Sequence, residues 1–600
     1  MLTPTVLLLT HVMALLPTNI HFSLLCNSGT EGYNAMKEML QNGGGGPAAG
    51  NNALYLESHD LMCSPTVPWK EVLSTFSSTN VPIHVKQLVL YSKRSDLPIA
   101  FLGGHRGLTS IDLTHLKNLK SIPANFLKNC TKLTKITFCH GIKKLEGSSF
   151  LEKCTALKSL DLAPLSELEG LPQAFLCSCS GLTTLDMSPL KHIEALPQNF
   201  LSGCRLTTLI LCPGIKKIPS CAFSGMIHLK SLDLAPISGI GELPPSFLYR
   251  CVKLTKLDLN PLKNLQKLPK AFLEGCTGLK ELDLSPLTQL EELPEAFLSG
   301  CTGLTALDVS PLKHVLTALP VAFLSHCTGL KSIDLSSLSN LEEIGRGCLM
   351  GCTGLSAVTL PPSISKIQKD FLSGCTKLKS LDVSMLSDLE EISSNFLLGC
   401  SAITSLDMSA LENLTEIPSG FLCKCTGLKT LMLCPRVRKI PHEFLSNCSG
   451  IKAFDLTPLT HLESGTLPQL FLSGCKSLET LDMTPLSEVP LEKISLGFLQ
   501  GCTGLTSLEW STLTQLELIP DDFLHGCSGL TTLDLTPLSQ FEVLPIGFLR
   551  GCSGLTVLDF APLSQLIKLP HNFLKGCTGL RGLDLSHLAH VEGVQSARIP

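Results

Sequence analysis

One recurring phrase constrains this chain more than anything else in it. Residues 297–311 read FLSGCTGLTALDVSP, and the phrase begins again at Phe323-Leu324-Ser325-His326-Cys327-Thr328-Gly329-Leu330. It recurs from Phe101 to Phe573. Copies in phase can stack side by side, each burying its apolar face only against its neighbours. Function must then be argued from a surface the copies build together, because no localised active site is visible.

The repeat explains the size. A single globular core stops growing near ~250–300 residues, and this chain has 600. A stacked array escapes that limit. Apolar residues make up 44% and charged residues 16%, too apolar for disorder and suited to a long, thin core. With 47 basic against 51 acidic residues, the chain lacks the basic field of a nucleic-acid binder.

Each segment of the unit has a structural reading. In L-x-x-L-D-L the last two leucines alternate about an aspartate, which is strand periodicity. Twenty strand starts follow in phase, from Leu108 to Leu580. Ser-Pro ends the strand, because proline cannot donate to a ladder. The segment P-x-x-F-L-x-G-C places Pro where a short helical turn would begin and Gly where it would end. The expectation is an α/β solenoid with one strand per unit, a parallel concave sheet and short helical turns on the convex side.

These units, with P-x-x-F-L-x-G-C-x-x-L-x-x-L, resemble leucine-rich repeats of the BspA-like subfamily. Four shorter units, such as LTTLILCPGIKKIPSCAF at 206–223, match that pattern best. The resemblance spans 85–590, about 20 units, and implies a leucine-rich-repeat horseshoe or superhelix. It also implies roles in adhesion and protein binding. Residues 1–52 read as a leader and Gly-rich linker, 53–84 as an N-terminal cap and 591–600 as a C-terminal tail. Within the cap, residues 69–76 (WKEVLSTF) suit a short amphipathic helix over the first coil; the alternative is an adaptor helix pair, F-box-like in position. The run at 6–16 has the length of a signal-peptide core, but no Lys or Arg precedes Lys37, so the positive start of such a peptide is missing. No run approaches the ~20 apolar residues of a membrane span.

Stacking turns each repeat position into a ladder with rungs roughly 5 Å apart. Phenylalanine fills one position except at Ala222 and Cys348, and is expected to pack. Cysteine fills another, four residues on, from Cys130 to Cys577, broken at His105 and Met226. One cysteine per coil does not supply clustered zinc ligands, so these thiols are expected to be small buried residues. The C-x-C pairs Cys177/Cys179 and Cys423/Cys425 are weaker metal candidates, and no metal or cofactor is expected. So many free thiols favour a reducing compartment.

The third ladder points outward between the strand leucines. It carries Asp112, Asp161, Asp186, Asp233, Asp258, Asp283, Asp308, Asp334, Asp382, Asp407, Asp455, Asp482, Asp534, Asp559 and Asp584, with Glu509 as a further acidic rung. The exceptions, Thr137, Ile210, Thr359 and Met432, are the four short units. Carboxylates in register repel, so some should have raised pKa values. Lys158, Lys230, Lys280, Lys331, Lys379, Lys429 and Lys452 are placed to pair diagonally with the rungs, and Thr or Ser hydroxyls beside them to donate to the carboxylates. The ladder reads either as a solvated strand face or as an acidic concave groove for a basic protein partner. The longest acidic runs, Asp233 to Asp334 and Asp455 to Asp584, are the candidate partner-binding residues. They comprise Asp233, Asp258, Asp283, Asp308 and Asp334, then Asp455, Asp482, Glu509, Asp534, Asp559 and Asp584.

The basic pairs Lys143-Lys144, Lys216-Lys217 and Arg438-Lys439, with Arg436, belong to short units and are too dispersed to form a nucleic-acid stripe. The sequons at Asn129, Asn413 and Asn447 suggest occasional glycan use at most, since two have a ladder cysteine in the middle. There is no P-loop, dinucleotide fingerprint, H-E-x-x-H or G-x-S-x-G. The functional expectation is a non-catalytic interaction scaffold using the concave, Asp-lined face. The alternatives are a surface adhesin and an intracellular adaptor such as a ubiquitin-ligase substrate receptor.

Overall fold

The computed structural model describes residues 99–105 and 107–592, Leu97, and the backbone of Ala53–Glu57 and Gln87–Tyr91. The leader and linker at 1–52, the 69–76 segment of the cap, Val85 and the tail from 593 lie outside the described residues. The chain divides into two compact units, Met1–Leu265 with Cys276–Leu282, and Gln266–Gly275 with Asp283–Pro600. Both are built of stacked coils with parallel pairing throughout. No helix among the described residues is long and apolar enough to cross a membrane.

In the first unit the sheet begins upstream of the expected start. Ala53–Glu57 pairs in parallel with Gln87–Tyr91, which pairs with Ser110–Asp112, which pairs with Lys135–Thr137. Leu88 and Leu90 lie in the second of these strands, as their spacing predicts. In the three-residue strands the central residue is buried and the flanking residues face out, as in Thr184–Asp186.

Where one strand per unit was expected, many coils carry two. A two-residue strand sits just before the Pro of L-x-x-L-P. In the second unit Ala318–Leu319, Glu343–Ile344, Lys366–Ile367 and Glu391–Ile392 form a four-stranded parallel sheet. Its register sets Glu343 against Lys366 and Lys366 against Glu391. Lys366 of a short unit thus lies between acidic residues of its neighbours, and basic residues of two other short units pair with glutamates. Lys216 reaches Glu194 at 2.6 Å, Lys439 reaches Glu416 at 2.6 Å, and Arg438 reaches Glu463 at 3.1 Å.

The helical turns exist but fall elsewhere in the unit. They are 3-10 turns on the Ser-Pro-Leu segment after the strand, such as Ser310–Leu312. Proline suits their first turn because the amide it lacks has no partner there. The segment P-x-x-F-L-x-G-C is instead a run of tight turns with three left-handed residues. In one coil these are Ala296 (φ 57°), Leu298 (φ 56°) and Gly300 (φ 71°). Glycine takes such a φ freely. For a leucine it costs about 1–2 kcal/mol. Leu298 is fully buried, and burying a leucine contributes about 1.5–3 kcal/mol. Burial therefore outweighs strain, and the leucine stays left-handed from coil to coil.

This geometry throws the backbone amides alternately toward the following and the preceding coil. Ala296 N–H donates to Val321 O at 2.8 Å and Gly300 N–H to Ser325 O at 2.7 Å. Leu324 N–H donates back to Phe297 O at 3.1 Å. The phenylalanines stack face to face beneath, Phe297 on Phe323 with centroids 6.2 Å apart and planes 7° apart. Trp510 joins the same core, fully buried, with its indole N–H on Asp534 O at 2.8 Å.

The ladder cysteines are buried as expected, apart from half-buried Cys204, and they are also donors. Cys327 Sγ–H donates to Leu298 O at 3.1 Å and Cys352 Sγ–H to Leu324 O at 3.0 Å. Each of these thiols thus bonds the carbonyl of a left-handed leucine in the preceding coil, which explains a cysteine where an alanine would pack; Cys251 bonds Phe223 O at 3.1 Å instead. Burial pushes Cys352 and Cys502 up to about 12. One member of each C-x-C pair, Cys179 and Cys425, is bound in the same way to Leu151 O and Leu397 O. At the break in the ladder, buried His105 accepts the Leu108 amide on Nδ1 at 3.0 Å.

Candidate functional site

The strand face positions the acidic rungs by the simple period of a strand: the leucines on either side point inward, so the residue between them points out. The eleven candidate residues are all exposed. Where strand pairs are formed, the rungs are in register. Asp482 lies opposite Glu509 in the second unit, and Asp186 opposite Ile210 in the first.

Every aspartate rung makes the same local bond. Its Oδ1 accepts the backbone N–H of the residue two positions on, at 2.8–2.9 Å, from Asp112 through Asp584. This is an Asx turn, and it starts the Ser-Pro-Leu segment. Often the next side chain joins in: Thr114 Oγ1 donates to Asp112 at 2.7 Å, Ser384 Oγ to Asp382 at 2.7 Å, and Thr536 Oγ1 to Asp534 at 2.6 Å. The aspartate and the long loop occur together because one initiates the other. Short units turn through other residues and have no use for it. Thr359 could not gain such a bond, because Pro361, two residues on, has no amide hydrogen.

The bonds correct the electrostatic expectation. Asp283, Asp334, Asp382, Asp407 and Asp584 are held below the usual carboxylate range. The cause is the serine hydroxyl two residues on, followed by the backbone amide. Repulsion between rungs does not raise them, because local donors dominate an exposed group while neighbouring charges are screened by water. The expected lysine partners also differ. Among the described residues no lysine lies within 4 Å of an aspartate rung. Lysines pair instead with glutamates, Lys256 with Glu281 at 3.3 Å and Lys452 with Glu479 at 3.0 Å. The strand-face hydroxyls also bypass the rungs and bond preceding carbonyls: Thr506 to Glu479 O, Thr531 to Thr506 O and Thr556 to Thr531 O.

What remains is a row of carboxylates, each oriented by one oxygen with the other open to solvent. Among the described residues no group of three or more His, Cys, Asp or Glu side chains is placed to hold a metal ion.

The family model of the BspA type leucine rich repeat region matches residues 100–230, 194–317 and 317–452. This chain belongs to the BspA-type leucine-rich repeat family. Solved structures similar to this BspA-type chain include a leucine-rich repeat protein from Bacteroides ovatus, 19% identical over 66% of this chain and 82% of that one, TM-score 0.35. A leucine rich cell surface protein from Faecalibacterium prausnitzii is 14% identical over 60% and 81%, TM-score 0.25. A leucine-rich repeat protein from Eubacterium ventriosum is 15% identical over 58% and 86%, TM-score 0.27. Among curated proteins none matches the chain.

Proposed function

We propose that this BspA-type protein is a non-catalytic scaffold that binds a protein partner on its acid-lined strand face. The observation that carries the reading is the fixed carboxylate. With Oδ1 held by the turn amide, a rung needs no further ordering to meet a cation, and preorganisation lowers the cost of binding. In the second unit Asp455, Asp482, Glu509, Asp534, Asp559 and Asp584 form the longest acidic run, so a basic segment of a partner is best matched there. In the first unit Asp233 and Asp258 play the same part, and Asp283, Asp308 and Asp334 do so in the second. Adhesion from a cell surface is the second reading, favoured by membership of the family. It uses the same face and differs in where the protein resides.

The test exploits the Asx turn. Asp534→Asn, Asp559→Asn and Asp584→Asn together keep each Oδ1 acceptor and remove three charges. Binding of an oligolysine peptide should fall about tenfold in this variant and weaken steeply with salt in the wild type. Unchanged binding with unchanged stability would leave the rungs a structural role alone. Sequencing the mature N-terminus of the cellular protein separates the two readings: a cleaved N-terminus supports surface display, and an uncleaved cytosolic product overturns it.

A further inference from the structure

One stack in the first unit is built differently from the others. Between residues 197–204 and 219–226 three faults coincide. Only Arg205 separates Cys204 from Leu206, where Cys327 and Leu330 are separated by two residues. Ala222 stands at the phenylalanine position. Phe223, one place on, turns edge-on to both neighbours, at 89° to Phe200 and 86° to Phe247.

The backbone ladder opens at the same place. In the preceding stack Ala174 N–H donates to Gln198 O at 3.0 Å, Ser178 N–H to Ser202 O at 2.6 Å, and Leu201 N–H to Phe175 O at 3.2 Å. The equivalent bonds from Asn199 and Gly203 to the following coil, and from Phe223 back to Phe200, are not formed among the described residues. In their place is a cleft of about 420 Å³. Asn199 and Gly203 line it, with their amides freed from the ladder. Arg205, Cys221 and His228 line it too, and no aspartate or glutamate does. Arg205 and Cys221 are exposed and His228 half-buried. Among the described residues neither Arg205 nor His228 makes an ion pair. Two other clefts among the described residues, at Arg436/Arg438 and at Lys366/Lys369, also hold basic residues of short units. Each contains two glutamates: Glu463 and Glu488 in one, Glu343 and Glu391 in the other.

We propose that the cleft between 197–205 and 219–228 binds a small molecule through an oxyanion, a carboxylate or a phosphate. A guanidinium recognises such a group through paired N–H donors. Backbone amides released from a ladder are further donors to an anion. With no carboxylate in the lining, nothing internal neutralises Arg205. The volume is within the range of small-ligand sites, about 300–1,000 Å³. The strand face has no part in this site, so the proposal stands apart from the scaffold reading.

Cys221 provides the measurement, because its thiol is exposed in the cleft, while Cys204, the ladder thiol that also lines it, is half-buried and the other ladder thiols are buried. Alkylation of Cys221 by anionic iodoacetate and by neutral iodoacetamide is followed on the full chain by peptide mass spectrometry. The iodoacetate-to-iodoacetamide rate ratio should exceed that of the same cysteine in the urea-unfolded chain by about tenfold. Arg205→Gln should abolish the excess while the buried ladder cysteines stay unreactive, which certifies the fold. Inorganic phosphate and, in a separate arm, glucuronate should protect Cys221, and glucose should not; whichever anion protects better identifies the source of the oxyanion. An unchanged rate ratio with no protection by either anion would overturn the proposal. So would equal protection by glucose.

Discussion

The turn segments at 294–301 and at 219–226 have the same length and share Pro, Phe and Gly, yet they pack differently. In the first, Phe297 is stacked flat, Leu298 is held left-handed under it, and a cysteine from the next coil bonds its carbonyl. In the second, the phenylalanine has moved one place, Met226 replaces the cysteine, and the ladder to the preceding coil is open. The flat stack and the left-handed leucine therefore form one device. Shifting one aromatic by one position disables both, while the thiol of the next coil, Cys251, still bonds the Phe223 carbonyl at 3.1 Å.

The largest test of this comparison is at the rings. Phe297→Ala should cost about 3–5 kcal/mol, read as a lower urea midpoint. Phe223→Ala should fall at or below the bottom of that range, because its surroundings can relax into the cleft. Equal costs would show that the edge-on ring packs as well as the flat one.

The next concerns the leucine's backbone. Leu298→Ala should cost about 2–5 kcal/mol, and Leu298→Gly should be milder by about 1 kcal/mol, because glycine sheds the left-handed strain. At Leu304, whose φ is not left-handed, the order should reverse, with Gly worse than Ala by about 0.5–1 kcal/mol. The same order at both sites would contradict the assignment of strain.

Smaller still is the thiol. Cys327→Ala removes one of two donors to the buried Leu298 carbonyl, which keeps the Cys301 N–H at 3.2 Å, and should cost about 0.5–1.5 kcal/mol. Since burial raises the ladder thiols, to about 12 at Cys352 and Cys502, a disulfide reagent near neutral pH should leave them intact until the chain unfolds.

The smallest effect belongs to the rungs. Asp334→Asn should be nearly neutral in urea, and Asp334→Ala should lower the midpoint slightly. A carboxylate whose folded pKa lies below its unfolded value stabilises at pH values above the unfolded one, near 4. That contribution disappears as pH falls through the lowered folded value. Acid titration of Asp283, Asp334, Asp382, Asp407 and Asp584 should therefore erode stability below about pH 4, with the Asn variants flatter in that window.

Much of the fold was legible in the letters. The strand leucines, the buried phenylalanines and the buried cysteines follow from period and polarity alone. The left-handed leucine was hidden, because leucine carries no turn signal and the conformation is imposed by burial. Glycine at 300 was visible but was read as the end of a helix, when it is the third of three left-handed residues. The second strand was missed because two residues carry no period. The Asx turn was the nearest miss. Asp-Leu-Ser-Pro holds an acceptor, an amide two residues on and a proline beyond, which is a turn signature. At the cleft, the lost residue between Cys204 and Leu206 and the displaced Phe223 are readable departures from the repeat, but that they open one space follows only from how the coils pack.

The left-handed leucine also bears on how such a chain comes to be folded. An isolated coil has no neighbour to bury that side chain, so the conformation is not self-supporting. It becomes favourable once an adjoining coil is in place as a template. Assembly should therefore require a seed of several coils, formed slowly, followed by rapid growth as each new coil settles on the last. The stack between 197–204 and 219–226, with its ladder open, is where a growing front should stall.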